Sequence, residues 1–105
     1  MPYTKVNYEE VEPVASGMHF LREELDAENL GLTVIDVEAG WTGKEHDHAD
    51  EGDEEVYYLV DGEATIVVDG EEVALSSGDA VRVAGDATRQ LTAGTDATFV
   101  VVGAP

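Results

Sequence analysis

The chain has 105 residues, 24 Asp and Glu against five Lys and Arg, a net charge of −19 and no cysteine. That length makes one domain with a small core. The charge repels nucleic acid and anionic membranes, and the missing cysteines exclude disulfides and thiolate–metal sites. Acidic chains often stay disordered, but here 43% of the residues are apolar and fall in short alternating runs. No apolar stretch approaches the roughly 20 residues of a membrane helix, and no apolar run follows a basic start, so the cytoplasm is the expected location. Many acids, scarce Lys and abundant small residues indicate a surface suited to concentrated salt, as in halophiles.

In chain order, MHFLRE (Met18 to Glu23) reads as a strand. ELDAENL (Glu24 to Leu30) reads as a connection with at most one helical turn, stopped at Gly31. From there the pattern is all-β. LGLTVIDV (Leu30 to Val37) is β-rich and ends at Glu38-Ala39-Gly40. EVYYLV (Glu55 to Val60) closes on Asp61-Gly62, and EATIVV (Glu63 to Val68) closes on Asp69-Gly70. Asp-Gly between β-rich runs signals a hairpin. EVAL, AVRV and TFVVV (Thr98 to Val102) follow, separated by breaks at Ser76–Asp79, Ala84–Asp86 and Ala93–Asp96. Short strands with frequent turns indicate a sandwich, jelly roll or barrel.

The segment GKEHDHADEGDEE (Gly43 to Glu55) carries the chemistry. His46 and His48 stand two positions apart, so on extended backbone both imidazoles leave the same side. A carboxylate a few residues on completes a compact N and O donor set for a first-row divalent metal. Seven acids lie from Glu45 to Glu55, and most of them must face solvent. The competing reading is a solvated His-rich turn.

The sequence Gly40, five residues, His46, one residue, His48, a gap, Glu55, six residues, Gly62 resembles the first motif of the cupin superfamily. The text from Glu55 to Val83 is similar to a small cupin as well. The resemblance spans Leu30 to Val102 and implies a double-stranded β-helix, a conical jelly roll with its site inside the wider end. Residues 30–105 would form this cupin barrel. Residues 1–29 would form an N-terminal strand or arm, packing on the barrel or on a partner subunit. Members commonly dimerise, and Val6 to Val14 could add strands across such a contact.

The chain departs from the family pattern twice. Six residues separate His48 from Glu55, a longer gap than usual; Asp53 and Glu54 are the nearby alternatives, but only Glu55 keeps the spacing to Gly62. In the second motif a Pro, a Gly and a His normally follow the first Gly. After Gly78, this chain has Ala84, Asp86 and Arg89 in those places. Arg89 therefore occupies the position of the fourth metal ligand, and an arginine cannot ligate a cation.

With Glu55 as third ligand, the resemblance implies two histidines and one carboxylate around Fe, Mn, Ni, Co or Zn. Glu45, Asp47 and Asp50 are the nearby groups able to orient the imidazoles. Arg89 has three possible places: paired with Glu55 or a neighbouring acid in lieu of a metal, clamping a carboxylate or phosphate behind a three-ligand metal, or out on the surface. Arg89, Tyr58 and Trp41 are the candidate ligand-binding residues. Tyr57 and Tyr58 are consecutive, so one faces the barrel interior and the other an outer or contact face. Core or interface packing competes for all three aromatics. His19, in an apolar run remote from the motif, is expected to pack structurally.

The expectation is a homodimeric protein holding one divalent metal and a small molecule, an anionic one included, inside the barrel. As an enzyme it would be a metal-dependent oxygenase or isomerase. The alternatives are a metal-free binding or sensing module, with Arg89 neutralising the site carboxylates, and a structural dimer with an empty barrel.

Overall fold

Turn residues and β-branched runs translate into short antiparallel strands. The computed structural model describes residues 2–49 and 52–105. A 3-10 turn at Tyr8–Glu10 precedes β1 (Met18–Phe20), α1 (Arg22–Leu25), β2 (Gly31–Val37), β3 (Glu54–Asp61), β4 (Glu63–Val68), β5 (Glu71–Ser76), β6 (Ala80–Val83), β7 (Arg89–Ala93) and β8 (Ala97–Ala104). The strands form a five-stranded sheet, ordered β1-β2-β8-β3-β6, and a three-stranded sheet, ordered β5-β4-β7. The smaller sheet is widened by the segment ahead of β3, which bridges β7 at Thr42–Thr92 and His46–Arg89. The histidine segment therefore runs beside β7.

The period-two side-chain rule sorts each strand. β8 buries Ala97, Phe99 and Val101, and turns Thr98, Val100 and Val102 away. β3 buries Tyr57 and Leu59 and leaves Val56, Tyr58 and Val60 exposed. Ile35, Leu59 and Phe99 from one sheet meet Ile66, Leu75 and Leu91 from the other in a single core. Leu59, Ile66 and Phe99 have no accessible surface; burying each such side chain stabilises the fold by about 1.5–3 kcal/mol. The result is the all-β jelly roll that the alternation and turns indicate.

Local differences from the sequence expectations have physical causes. The helical turn comes two residues earlier, at α1, and β1 stops at Phe20. Asp26 ends α1 in the left-handed region (φ 56°), its N–H donating to the Arg22 and Glu23 carbonyls. Asp69 and Gly70 (φ 47° and 84°) close the β4–β5 hairpin as expected. Asp61-Gly62 does not make a hairpin: β3 pairs with β6 and β8, whereas β4 pairs with β5 and β7. It is the corner where the chain changes sheets. Gly62 has φ 104°, and a Cβ there would collide with the Asp96 carbonyl oxygen. β7 was not among the expected strands.

The N-terminal arm folds onto its own chain. β1 pairs with β2 from Met18–Ile35 to Phe20–Thr33. Between Val6 and Val14 the chain forms the 3-10 turn, and Val14 then bridges Met18. Among the described residues no helix is long and apolar enough to cross a membrane.

Candidate metal centre

Backbone pairing fixes both histidines. His46 and Arg89 exchange two hydrogen bonds, His46 N–H to Arg89 O at 3.0 Å and Arg89 N–H to His46 O at 2.8 Å. The His48 N–H donates to Gly85 O at 2.8 Å. The rings stand edge to face, with centroids 5.2 Å apart. His46 Nδ1 lies 3.1 Å from the Lys44 carbonyl. A carbonyl only accepts, so a hydrogen bond there puts the proton on Nδ1 and leaves the Nε2 lone pair available to a metal.

Glu55 enters from the start of β3, opposite Gly103 of β8 and Val83 of β6. A Cβ on Gly103 would lie 3.1 Å from Glu55 Cγ, so the glycine makes room for this side chain. Glu55 Oε1 is 3.3 Å from His48 Nε2 and 4.0 Å from His46 Nε2. One donor atom from each of the three residues falls within 4.8 Å of the others. Two imidazole nitrogens and a carboxylate at this separation fit a first-row divalent ion. Asp53 and Glu54, the alternatives by spacing, are not in the group. The Tyr57 hydroxyl donates to Glu55 Oε1 at 2.6 Å. Burial first, and this hydrogen bond second, push the Tyr57 phenol far above its ordinary value. It therefore stays a donor and orients the carboxylate.

Arg89 is fully buried, which removes the surface alternative. Its guanidinium is turned toward the preceding loop, donating to Ala87 O at 2.9 Å and Ala84 O at 3.2 Å, with Gly85 O at 3.5 Å. Only Nε faces the carboxylate, 3.8 Å from Glu55 Oε1, and it has no hydrogen-bond partner among the described residues. The pairing with Glu55 is thus one of charge proximity. Nη1 and Nη2 each donate to a backbone carbonyl, and the Nε edge faces Glu55.

These groups close one end of a cavity of about 360 Å³. Among the described residues it is lined by His46, His48, Glu55, Tyr57, Arg89 and Lys44, and Met18, Phe20, Ile35, Trp41, Leu91 and Val101 form most of the rest. Trp41 does line the cavity, its ring lying over Gly43, where a Cβ would come within 2.8 Å of it. Tyr58 does not. It is 43% exposed on the outer face, and the strand's alternation gives the interior place to Tyr57, which shares a face with Glu55. The signal was present in the sequence, because choosing Glu55 as ligand selects Tyr57 by parity. Nor do the nearby acids orient His46 Nδ1, which has the Lys44 carbonyl. Asp47 instead accepts from the Ala49 N–H at 3.1 Å, and Asp50 lies outside the described residues. His19 sits in the arm, Nδ1 2.9 Å from Val11 O and edge-on to Tyr8.

The fold recurs in solved structures. A cupin protein from Bacteroides fragilis is similar over 95% of this chain and 86% of its own, with 26% identity and a TM-score of 0.76. KdgF from Halomonas sp. is similar over 100% and 94%, with 20% identity and a TM-score of 0.79. A predicted oxalate decarboxylase from Thermotoga maritima is similar over 96% and 98%, with 22% identity and a TM-score of 0.77. Curated protein sequences give no match. The cupin domain model matches residues 33–103, more than half of the chain, and with the jelly roll already in place this makes the protein a member of the cupin domain family.

Proposed function

We propose that the protein holds one divalent metal ion through His46, His48 and Glu55 and takes a small molecule into the adjoining cavity. The observation that carries this reading is the meeting of three donor atoms within 4.8 Å at the end of a 360 Å³ cavity. The volume lies near the lower end of the ordinary range for ligand pockets, about 300–1,000 Å³. When bound, the metal would supply Lewis-acid charge beside the cavity. The chain's residues do the positioning. The Lys44 carbonyl sets the His46 ring, Tyr57 holds Glu55, and Gly103 leaves space for the carboxylate. Arg89 occupies the fourth-ligand place without ligating, which leaves coordination positions for water or substrate. If the ligand is turned over, an oxygenase or an isomerase is the class of enzyme this donor set suits. The fold alone does not choose between them.

A second reading has its own observation. The buried Arg89 stands 3.8 Å from Glu55, so the carboxylate has a counter-charge without any metal. The protein would then be a metal-free binding module.

Metal analysis of untagged protein separates the two. The first reading expects about one equivalent per chain at neutral pH, where ligating imidazoles are deprotonated, and none in His48→Ala. Metal-free wild-type protein whose melting temperature is unmoved by added Fe, Mn, Ni or Zn would establish the second.

A further inference from the structure

Arg89 reaches both histidines, with different parts of itself. Its main chain exchanges two hydrogen bonds with His46, at 3.0 and 2.8 Å. Its side chain turns back over residues 84–87. There Nη1 donates to Ala87 O at 2.9 Å and Nη2 to Ala84 O at 3.2 Å, with Gly85 O 3.5 Å from Nη1. The same turn holds the second histidine, because the His48 N–H donates to Gly85 O at 2.8 Å. On its other side the turn lies against the main chain that leads into β3. A Cβ on Gly85 would stand 2.5 Å from Asp53 O and 2.9 Å from the Gly52 carbonyl carbon, and Asp53 is two residues ahead of Glu55.

Three carbonyl oxygens gathered around one space repel one another, and a carbonyl buried without a donor costs free energy. The Ala87 N–H supplies one donor, to Ala84 O at 3.1 Å, and His48 supplies another to Gly85 O. The remaining donors come from Arg89, which is fully buried. A guanidinium presents its N–H groups in a rigid planar fork and keeps its charge when buried. An ammonium lacks the fork, and a neutral imidazole has a single donor. No other side chain fills this place in the same way.

We propose that Arg89 is a positioning residue of the metal centre, orienting His48 by gathering the Ala84, Gly85 and Ala87 carbonyls into the turn to which the His48 main chain is bonded. It serves the ligand set from the fourth-ligand place without joining it. The chain is thereby committed to three protein ligands: Arg89→His would add one nitrogen donor and remove the support of another. This inference rests on the metal-binding reading above for its effect on metal; the hold on His48 belongs to the metal-free chain as well.

The test uses the full untagged chain. Amide hydrogen exchange, read by NMR without metal, is compared in wild type, Arg89→Lys and Arg89→His. In both variants the His48 amide should exchange about tenfold faster. The His46 amide, bonded to the main chain of residue 89, and the amides of the β4–β5 pair should keep their wild-type rates. A general loss of stability would speed all of them alike. By calorimetry, zinc affinity should fall about tenfold in Arg89→Lys, the scale for a group that orients a ligand, although the charge beside Glu55 is kept. It should fall in Arg89→His too, despite the added nitrogen. Should neither variant fold, Gly85→Ala decides with Arg89 intact: as the turn is forced off Asp53, the His48 amide and the Arg89 guanidinium protons should lose protection together. An unchanged His48 amide, equal acceleration at His46 and β4–β5, tighter zinc binding by Arg89→His than by wild type, or a guanidinium still protected when His48 is not would overturn the proposal. Wild type that binds no zinc while the exchange pattern holds would sink the metal reading and leave Arg89 as the organiser of His48.

Discussion

Tyr57 shows how one residue can serve both site and fold. Its hydroxyl is 2.6 Å from Glu55 Oε1 and its ring is in the core cluster. Tyr57→Phe keeps the ring and loses the donor, so metal affinity should fall by about tenfold, the usual scale for a group that orients a ligand. A pH effect follows as well. The folded phenol is raised above its unfolded value of about 10, so its contribution is complete below that pH. It is lost progressively as pH climbs toward the folded value, because the unfolded chain then releases a proton that the folded chain retains. Between about pH 10 and 11, wild-type stability in urea should drop by up to about 1.4 kcal/mol more than that of Tyr57→Phe; parallel curves would refute the assignment. Residue-level reading of the sequence reached His46, His48 and Glu55, because a two-residue step and a motif spacing are local facts. It did not reach Arg89's partners. Those are backbone carbonyls of residues 84–87, exposed to the guanidinium only once the loop has folded over it.

Among the elements, the two Asp-Gly pairs carry the same letters and do different jobs. Gly70 closes a hairpin with nothing near its missing Cβ, whereas Gly62 turns the chain between sheets hard against the Asp96 carbonyl. Both glycines have positive φ. Gly70→Ala should therefore cost about 1 kcal/mol of backbone strain, and Gly62→Ala measurably more, since it adds a collision with main chain to the same strain. Denaturant midpoints of the two variants would show the order, and equal midpoints would contradict this account of the corner. Hairpin and corner look alike in sequence because the distinction lies in which distant strands the flanking runs find. β4 and β6 were legible to the residue, their bounds set by turns and alternation. β7 was not, because its three inward positions are Arg89, Leu91 and Ala93. A strand whose first buried side chain is a cation does not read as an apolar stripe.

For the molecule as a whole, the ratio of 24 acids to five Lys and Arg sets a self-repulsion that salt relieves by shortening the Debye length to about 3 Å at molar concentration. The melting temperature should climb steeply with KCl, and a flat response from dilute buffer to molar salt would contradict the reading of a surface suited to brine. The fold class needed no structure, since turn density and alternation are spread along the entire chain; the cavity did, because its wall is drawn from both sheets and from the arm. The lysine at that cavity has a kinetic consequence. Any anion diffusing toward a body so strongly negative would be slowed by long-range repulsion, which Lys44, at the cavity lining, would offset only over the last few ångströms. Raising ionic strength should therefore quicken the entry of such an anion, the reverse of the usual salt effect on electrostatically guided encounters.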